Sequence, residues 1–168
     1  MIAAMKPLSG ELEQEAVTTK RVLERVPADK LGWKPHPKSM SLGQLAMHIA
    51  TIPKGISEIA RLDTLEPNPA NFNIPQPQSR EEILGALDAS VRAAVDYLGG
   101  LNETAANGTW RAVAGGREVM AMPRAVMLRA LMLNHWYHHR GQLSVYLRLL
   151  DVPVPSIYGP SADDNPFQ

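Results

Sequence analysis

Apolar residues recur at helical spacing in four stretches of the chain, and prolines separate them. Proline lacks a backbone donor and clashes with the turn before it, so the fourteen prolines mark where long helices cannot run. Between Leu8 and Val26, residues Leu12, Ala16, Thr19, Val22, Leu23 and Val26 form one stripe. Ser9 is placed to open this helix, with Glu11, Glu13 and Glu15 early and Lys20, Arg21 and Arg25 late, the charge order that suits the helix dipole. A second helix is predicted after Ser41, with Gln44 as its capping-box partner and the stripe Leu42, Leu45, Ile49, Ile52, Ile56 and Ile59. Pro53 and Gly55 lie inside it and predict a kink. Pro67 to Gln78 reads as an irregular loop. Ser79 and Glu82 then open a third helix, striped by Ile83, Leu84, Leu87, Val91, Ala94, Val95 and Leu98 and ending at Gly99-Gly100.

The period changes between Thr109 and Met122. Two short runs, Trp110 to Val113 and Glu118 to Met120, flank Gly115-Gly116, which predicts a hairpin on the side of the helices, too small to make a sheet. Pro123 fits the first turn of a last helix reaching about Leu150, before Pro153. Four long helices with one hairpin insertion make the fold class all-α, a four-helix bundle. Residues 1–168 read as a single domain, with 151–168 as an extended tail that either wraps the surface or forms a dimer contact.

Composition narrows the function classes. The chain has 168 residues, 45% of them apolar and 20% charged, enough to bury a core. Seventeen basic residues balance seventeen acidic ones, so the basic stripe of a nucleic-acid binder is not expected. No run reaches the roughly 18 apolar residues of a membrane span, and the first residues lack the apolar core of a signal peptide. The expectation is a soluble cytoplasmic protein with no nucleic-acid or membrane partner. Cysteine is absent, which removes disulfides, thiolate nucleophiles and thiolate metal ligands.

Any metal must therefore rest on histidine and carboxylate. Of five histidines, His135, His138 and His139 crowd the last helix, while His36 and His48 stand alone. His135 and His139 are four apart, so on a helix their Cβ atoms are about 6 Å apart and both rings can reach one ion. Seven-residue steps place Leu128, His135, Gln142 and Leu149 in one row and Met132, His139 and Tyr146 in the next. These rows read as the apolar side of the helix, aiming the pair into the bundle or a crevice in it, with His138 at the rim. His48, at the edge of the second helix's stripe, is the best third ligand, and His36 fits a rigid surface loop.

Spacing alone leaves a plainer reading open, in which these histidines are hydrogen-bonded core or boundary residues. Met120, Met122, Met127 and Met132 read as core filler and Trp33, Trp110 and Trp136 as packing residues. Arg140 reads as a partner in a surface or tail salt bridge.

Three segments in combination resemble a known family. Trp33 to Ile49, which contains His36 and His48, is followed by Asn134-His135-Trp136-Tyr137-His138-His139-Arg140-Gly141-Gln142-Leu143 and by the ending Val152 to Asp163. Together they resemble the DinB-like family of metal-dependent proteins, over nearly the whole chain. The resemblance implies a four-helix bundle with a long crossover, commonly a homodimer, and a divalent metal, zinc or nickel foremost, held by His48, His135 and His139. It also implies relatives that are transferases or isomerases using a low-molecular-weight thiol.

Three neutral imidazoles leave coordination positions open, the pattern of a catalytic site. A divalent ion there would lower the pKa of a bound water or thiol and polarise a carbonyl. Without cysteine, the thiol would come from a small-molecule cosubstrate. Tyr146, Gln142 and His138 are candidates to orient a ligand. Two function classes follow: a metal-dependent enzyme, either a thiol-dependent transferase or a hydrolase using metal-activated water, and a non-catalytic metal-binding or stress-response dimer.

Overall fold

Capping chemistry and proline placement set the helix ends seen in the computed structural model, which describes residues 1–68 and 73–167. Helix α1, Lys6–Leu23, follows a short 3-10 turn and carries Pro7 in its first turn. It thus starts before Ser9, which lies buried within the helix and does not open it. Helix α2, Leu42–Ala60, begins with the expected capping box: Ser41 Oγ accepts from the Gln44 amide and Gln44 Oε1 accepts from the Ser41 amide, both at 3.1 Å. Pro53 sits inside this helix.

After α2 the chain forms β1, Thr64–Leu65, and then the Pro67–Gln78 segment, whose residues 69–72 lie outside the described residues and whose remainder forms neither helix nor strand. Ser79 caps α3, Arg80–Gly100, through the Glu82 amide. Only half of that capping box forms, because the Glu82 carboxylate accepts from the Gln78 amide instead. A short helix α4, Glu103–Asn107, leads into β2, Thr109–Ala114, and β3, Arg117–Pro123.

Gly115 and Gly116 both have positive φ, as the tight hairpin turn requires. The hairpin gains a third strand that its own sequence does not announce, since β1 pairs in parallel with β2, Thr64 opposite Arg111. The result is a small three-stranded sheet, not a lone hairpin.

The last helix is continuous from Arg124 to Leu149 but changes its winding. Helix α5, Arg124–Met127, passes into a π-helical segment, Leu128–Asn134, and then into α6, His135–Leu149. Pro123 ends β3 and precedes this helix, one step earlier than the first-turn position expected of it. Because π turns close on i→i+5, they take up more residues than α turns, and rows drawn at seven-residue steps slip. The buried row that starts at Leu128 and Met132 continues at Trp136, Arg140, Leu143 and Leu147. His135, His139, Gln142 and Tyr146 therefore form a half-buried flank rather than the apolar side, and Leu149 is 59% exposed.

Helix α2 packs against α3 and α6, and α1 packs against the same two, so α1 lies diagonal to α2 and α3 to α6. The connections α1–α2 and α3–α6 cross the bundle, the second carrying β2 and β3. The core between the four is apolar, with Leu12, Leu23, Leu45, Ile49, Ile83, Leu87 and Leu98 among its fully buried side chains. Trp110, Trp136, Met127 and Met132 are also buried, while Met120 and Met122 are partly buried against that core. The last carbonyls of α2 find side-chain donors from three distant elements: Ala60 O accepts from Tyr97 Oη and Arg124 Nε, and Ile59 O from Trp110 Nε1. Residues 151–167 run back across α1 and α6, with Arg21 bonded to the Ser156 carbonyl and Tyr158 bonded to Glu15 and Arg140. Among the described residues no helix is long and apolar enough to cross a membrane.

Candidate metal centre

His48 lies on α2 seven residues past its Ser41 cap, and the half-buried flank of α6 brings His135 and His139 against it. His48 Nε2 and His135 Nε2 stand 3.1 Å apart. One ligand nitrogen from each of the three rings lies within 4.8 Å of the others, and the rings meet edge to face, with centroids 4.4–5.3 Å apart. Two bare ring nitrogens at 3.1 Å repel unless a proton or a cation lies between them. Nitrogens about 2.0–2.1 Å from one tetrahedral Zn²⁺ are separated by roughly 3.3 Å, so this spacing fits a shared ion.

The electrostatics favour the metal-binding form of each ring. Burial, then the neighbouring His139 and His135, holds His48 down at about 4. Burial also lowers His135, with His139 and His138 adding to it. His139 is lowered by burial too, opposed by its hydrogen bond to Gln142. All three are neutral near pH 7 and present lone pairs.

Gln142, one turn further along α6, accepts from His139 Nδ1 at 2.7 Å through Oε1. A carboxamide oxygen only accepts, so Nδ1 carries the proton and Nε2 is left bare. This gives Gln142 a role the spacing did not assign, holding a histidine rather than a ligand. Tyr146 is turned elsewhere, its ring against Trp33 and its hydroxyl 3.3 Å from the Met40 carbonyl. His138 is exposed with its ring 4.9 Å from that of His139, at the rim as expected. His36 is exposed on its loop, its Nδ1 accepting from the Lys38 amide, and takes no part in the cluster.

Arg140 departs from the surface reading. It is 2% exposed and pairs with Glu15 at 2.6 Å, while also bonding Thr19 and the tail's Tyr158. Its salt bridge is to α1 rather than to the surface or the tail, which meets it only through the Tyr158 hydroxyl, because the π segment turns Arg140 into the core row. One open groove lies beside Lys20 and Asp88 between α1 and α3, and another is lined by Leu8, Val126, Arg129 and Asn134. The three rings are half-buried where α2 and α6 meet.

Comparison with known proteins places the fold. The model of the DinB family matches residues 1–166. No curated protein matches the chain. Among solved structures, a DinB-like protein from Bacillus cereus ATCC 10987 is similar at 24% identity and a TM-score of 0.66, covering 86% of this chain and 91% of that one. A DinB-like protein from Bacillus subtilis is similar at 18% identity and a TM-score of 0.67, covering 90% and 98%. At these identities the likeness is one of fold.

Proposed function

Since this chain belongs to the DinB family, we propose that it binds one divalent metal ion through His48, His135 and His139 and acts as a metal-dependent enzyme. The observation that carries the reading is the convergence of three neutral imidazole nitrogens within 4.8 Å, one of them locked in its tautomer by Gln142. Zinc or nickel suits an all-imidazole donor set. When bound, the ion supplies Lewis acidity, polarising a carbonyl and acidifying a coordinated water or thiol. The protein's own contribution is to hold three lone pairs near one point, on rings that are half-buried and so still reached by solvent. The reaction class is transfer of an external thiol, the chain having no cysteine of its own, or hydrolysis. The working form is a cytoplasmic homodimer.

Metal analysis of purified variants tests the site. About one ion per chain is expected in the wild type, with near-complete loss in His48→Ala, His135→Ala and His139→Ala, because two ligands hold metal far more weakly than three. His36→Ala should keep its metal. Equal metal in the wild type and all three cluster variants overturns the assignment. Water relaxation by a paramagnetic substitute then separates the enzyme from a non-catalytic binder, since only an open position exchanges water.

A further inference from the structure

The proline in α2 has a consequence one residue away from two of the candidate ligands. Pro53 has no N–H, so the carbonyl four residues earlier, Ile49 O, loses its helical donor. The next amide, Lys54 N, donates to Ser90 Oγ of α3 at 2.8 Å. Ile49 is fully buried, where a carbonyl without a donor is costly. Its donor comes from the opposite helix: Trp136 Nε1, itself fully buried, donates to Ile49 O at 2.8 Å. Ile49 follows His48, and Trp136 follows His135. The hydrogen bond therefore runs one step along the chain from the closest ligand pair, with the same sequence separation of 87.

We propose that Trp136 is a positioning residue of the histidine centre: its indole N–H, seated on the carbonyl that Pro53 leaves free, sets the height and rotation of α6 on α2 so that His135 and His139 meet His48. The inference rests on the metal-binding reading above. An indole has one donor, in the plane of a rigid ring, and this acceptor has no helical rival. The bond is therefore directional in a way that apolar packing is not. The π segment immediately before His135 brings Trp136 into the buried row and leaves the histidines on the flank, and the indole bond holds that phase.

Trp110 supplies the control. It is equally buried, and its Nε1 donates to another α2 carbonyl, Ile59 O, at 3.3 Å, far along the helix from His48. Trp136→Phe and Trp110→Phe should lose similar packing and each forfeit one indole bond. Binding is read with Co²⁺ and Zn²⁺ titrations, and geometry with the ligand-field spectrum of the Co²⁺ form. Trp136→Phe should weaken metal binding roughly 10- to 100-fold, the range for groups that orient ligands, and alter the Co²⁺ spectrum. Trp110→Phe should stay within about twofold of the wild type with an unchanged spectrum.

Wild-type binding in Trp136→Phe, or equal weakening in both variants, overturns the proposal. If Trp136→Phe does not fold, benzothienylalanine at position 136, which keeps the shape and lacks the N–H, is read by the same criteria. If the wild type takes up no metal, the proposed function falls by itself. The inference is then judged on the metal-free protein by imidazole NMR, where Trp136→Phe must shift the His48 and His135 signals and Trp110→Phe must not. Unshifted signals in Trp136→Phe overturn it there too.

Discussion

Gln142 shows how much one side chain decides at the centre. Its Oε1 accepts from His139 Nδ1 and so exposes Nε2. Gln142→Ala frees that ring to rotate and change tautomer, and metal affinity should fall roughly 10- to 100-fold. The melting temperature of the metal-free protein should hardly move, since Gln142 is only partly buried. Metal titration beside thermal melts checks both; unchanged affinity would show that the bond orients nothing. A second expectation concerns protons. In the metal-free fold His48 titrates at about 4, against about 6.5 in the unfolded chain. Between those values the unfolded chain takes up a proton that the fold refuses. Stability therefore rises with pH across that window and is lost as the pH falls from about 6.5 toward 4. Urea unfolding of the chelated protein at several pH values should show this slope, and His48→Phe should make it shallower, with His135 and His139 supplying the remainder. His135 and His139 were legible because residue type and an i,i+4 spacing suffice to nominate them, while His48 joins them through the family resemblance. Gln142's task was not, because a glutamine on a helix flank has many outlets and only the placed ring selects one.

At the scale of elements, helix starts were read well where a local signal exists and poorly where the neighbouring loop intervenes. Ser41 and Gln44 cap α2 from within four residues, so sequence alone suffices. The same motif at Ser79 forms by half, since Glu82 is diverted to Gln78. Gly43 is a case no local rule exposes. A Cβ there would lie 2.6 Å from Gln76 Nε2 and 3.0 Å from both Leu31 O and Pro77 Cγ, because two loops close over the start of α2. Helix propensity favours Gly43→Ala by about 1 kcal/mol. Overpacking against a backbone carbonyl costs roughly 1–3 kcal/mol, so the net effect should be destabilising. A chemical denaturation midpoint below the wild type is the expected result, and a raised one would mean that the loops yield freely. Strand β1 was missed for the same kind of reason: two residues carry no period, and only β2 beside them makes a strand.

Across the whole molecule, the buried Arg140 ties three parts of the chain together: Glu15 and Thr19 of α1, α6 itself, and Tyr158 of the tail. Arg140→Met strands the Glu15 carboxylate, which is 14% exposed, and should cost roughly 3–5 kcal/mol. Replacing Glu15 as well removes the orphaned charge, so Glu15→Gln with Arg140→Met should be more stable than Arg140→Met alone. Limited proteolysis should cut residues 151–167 sooner in the single variant; equal resistance would show the tail is held by Arg21 and Arg148 instead. Four helices, the hairpin and the all-α class are legible in the chain's own pattern, whereas the ligand set of His48, His135 and His139 follows from the family resemblance. The helices and the hairpin rest on periodicity, capping and turn chemistry, which act within one or two turns of the chain. Tertiary structure alone decided the rotation of the last helix. There the π segment moves Trp136 and Arg140 inward and leaves His135 and His139 on the flank. A helix changes its winding when the gain from burying one row against distant partners exceeds the cost of poorer local bonds. Here those partners, Ile49 for Trp136 and Glu15 for Arg140, lie 87 and 125 residues away along the chain, beyond the reach of any local pattern.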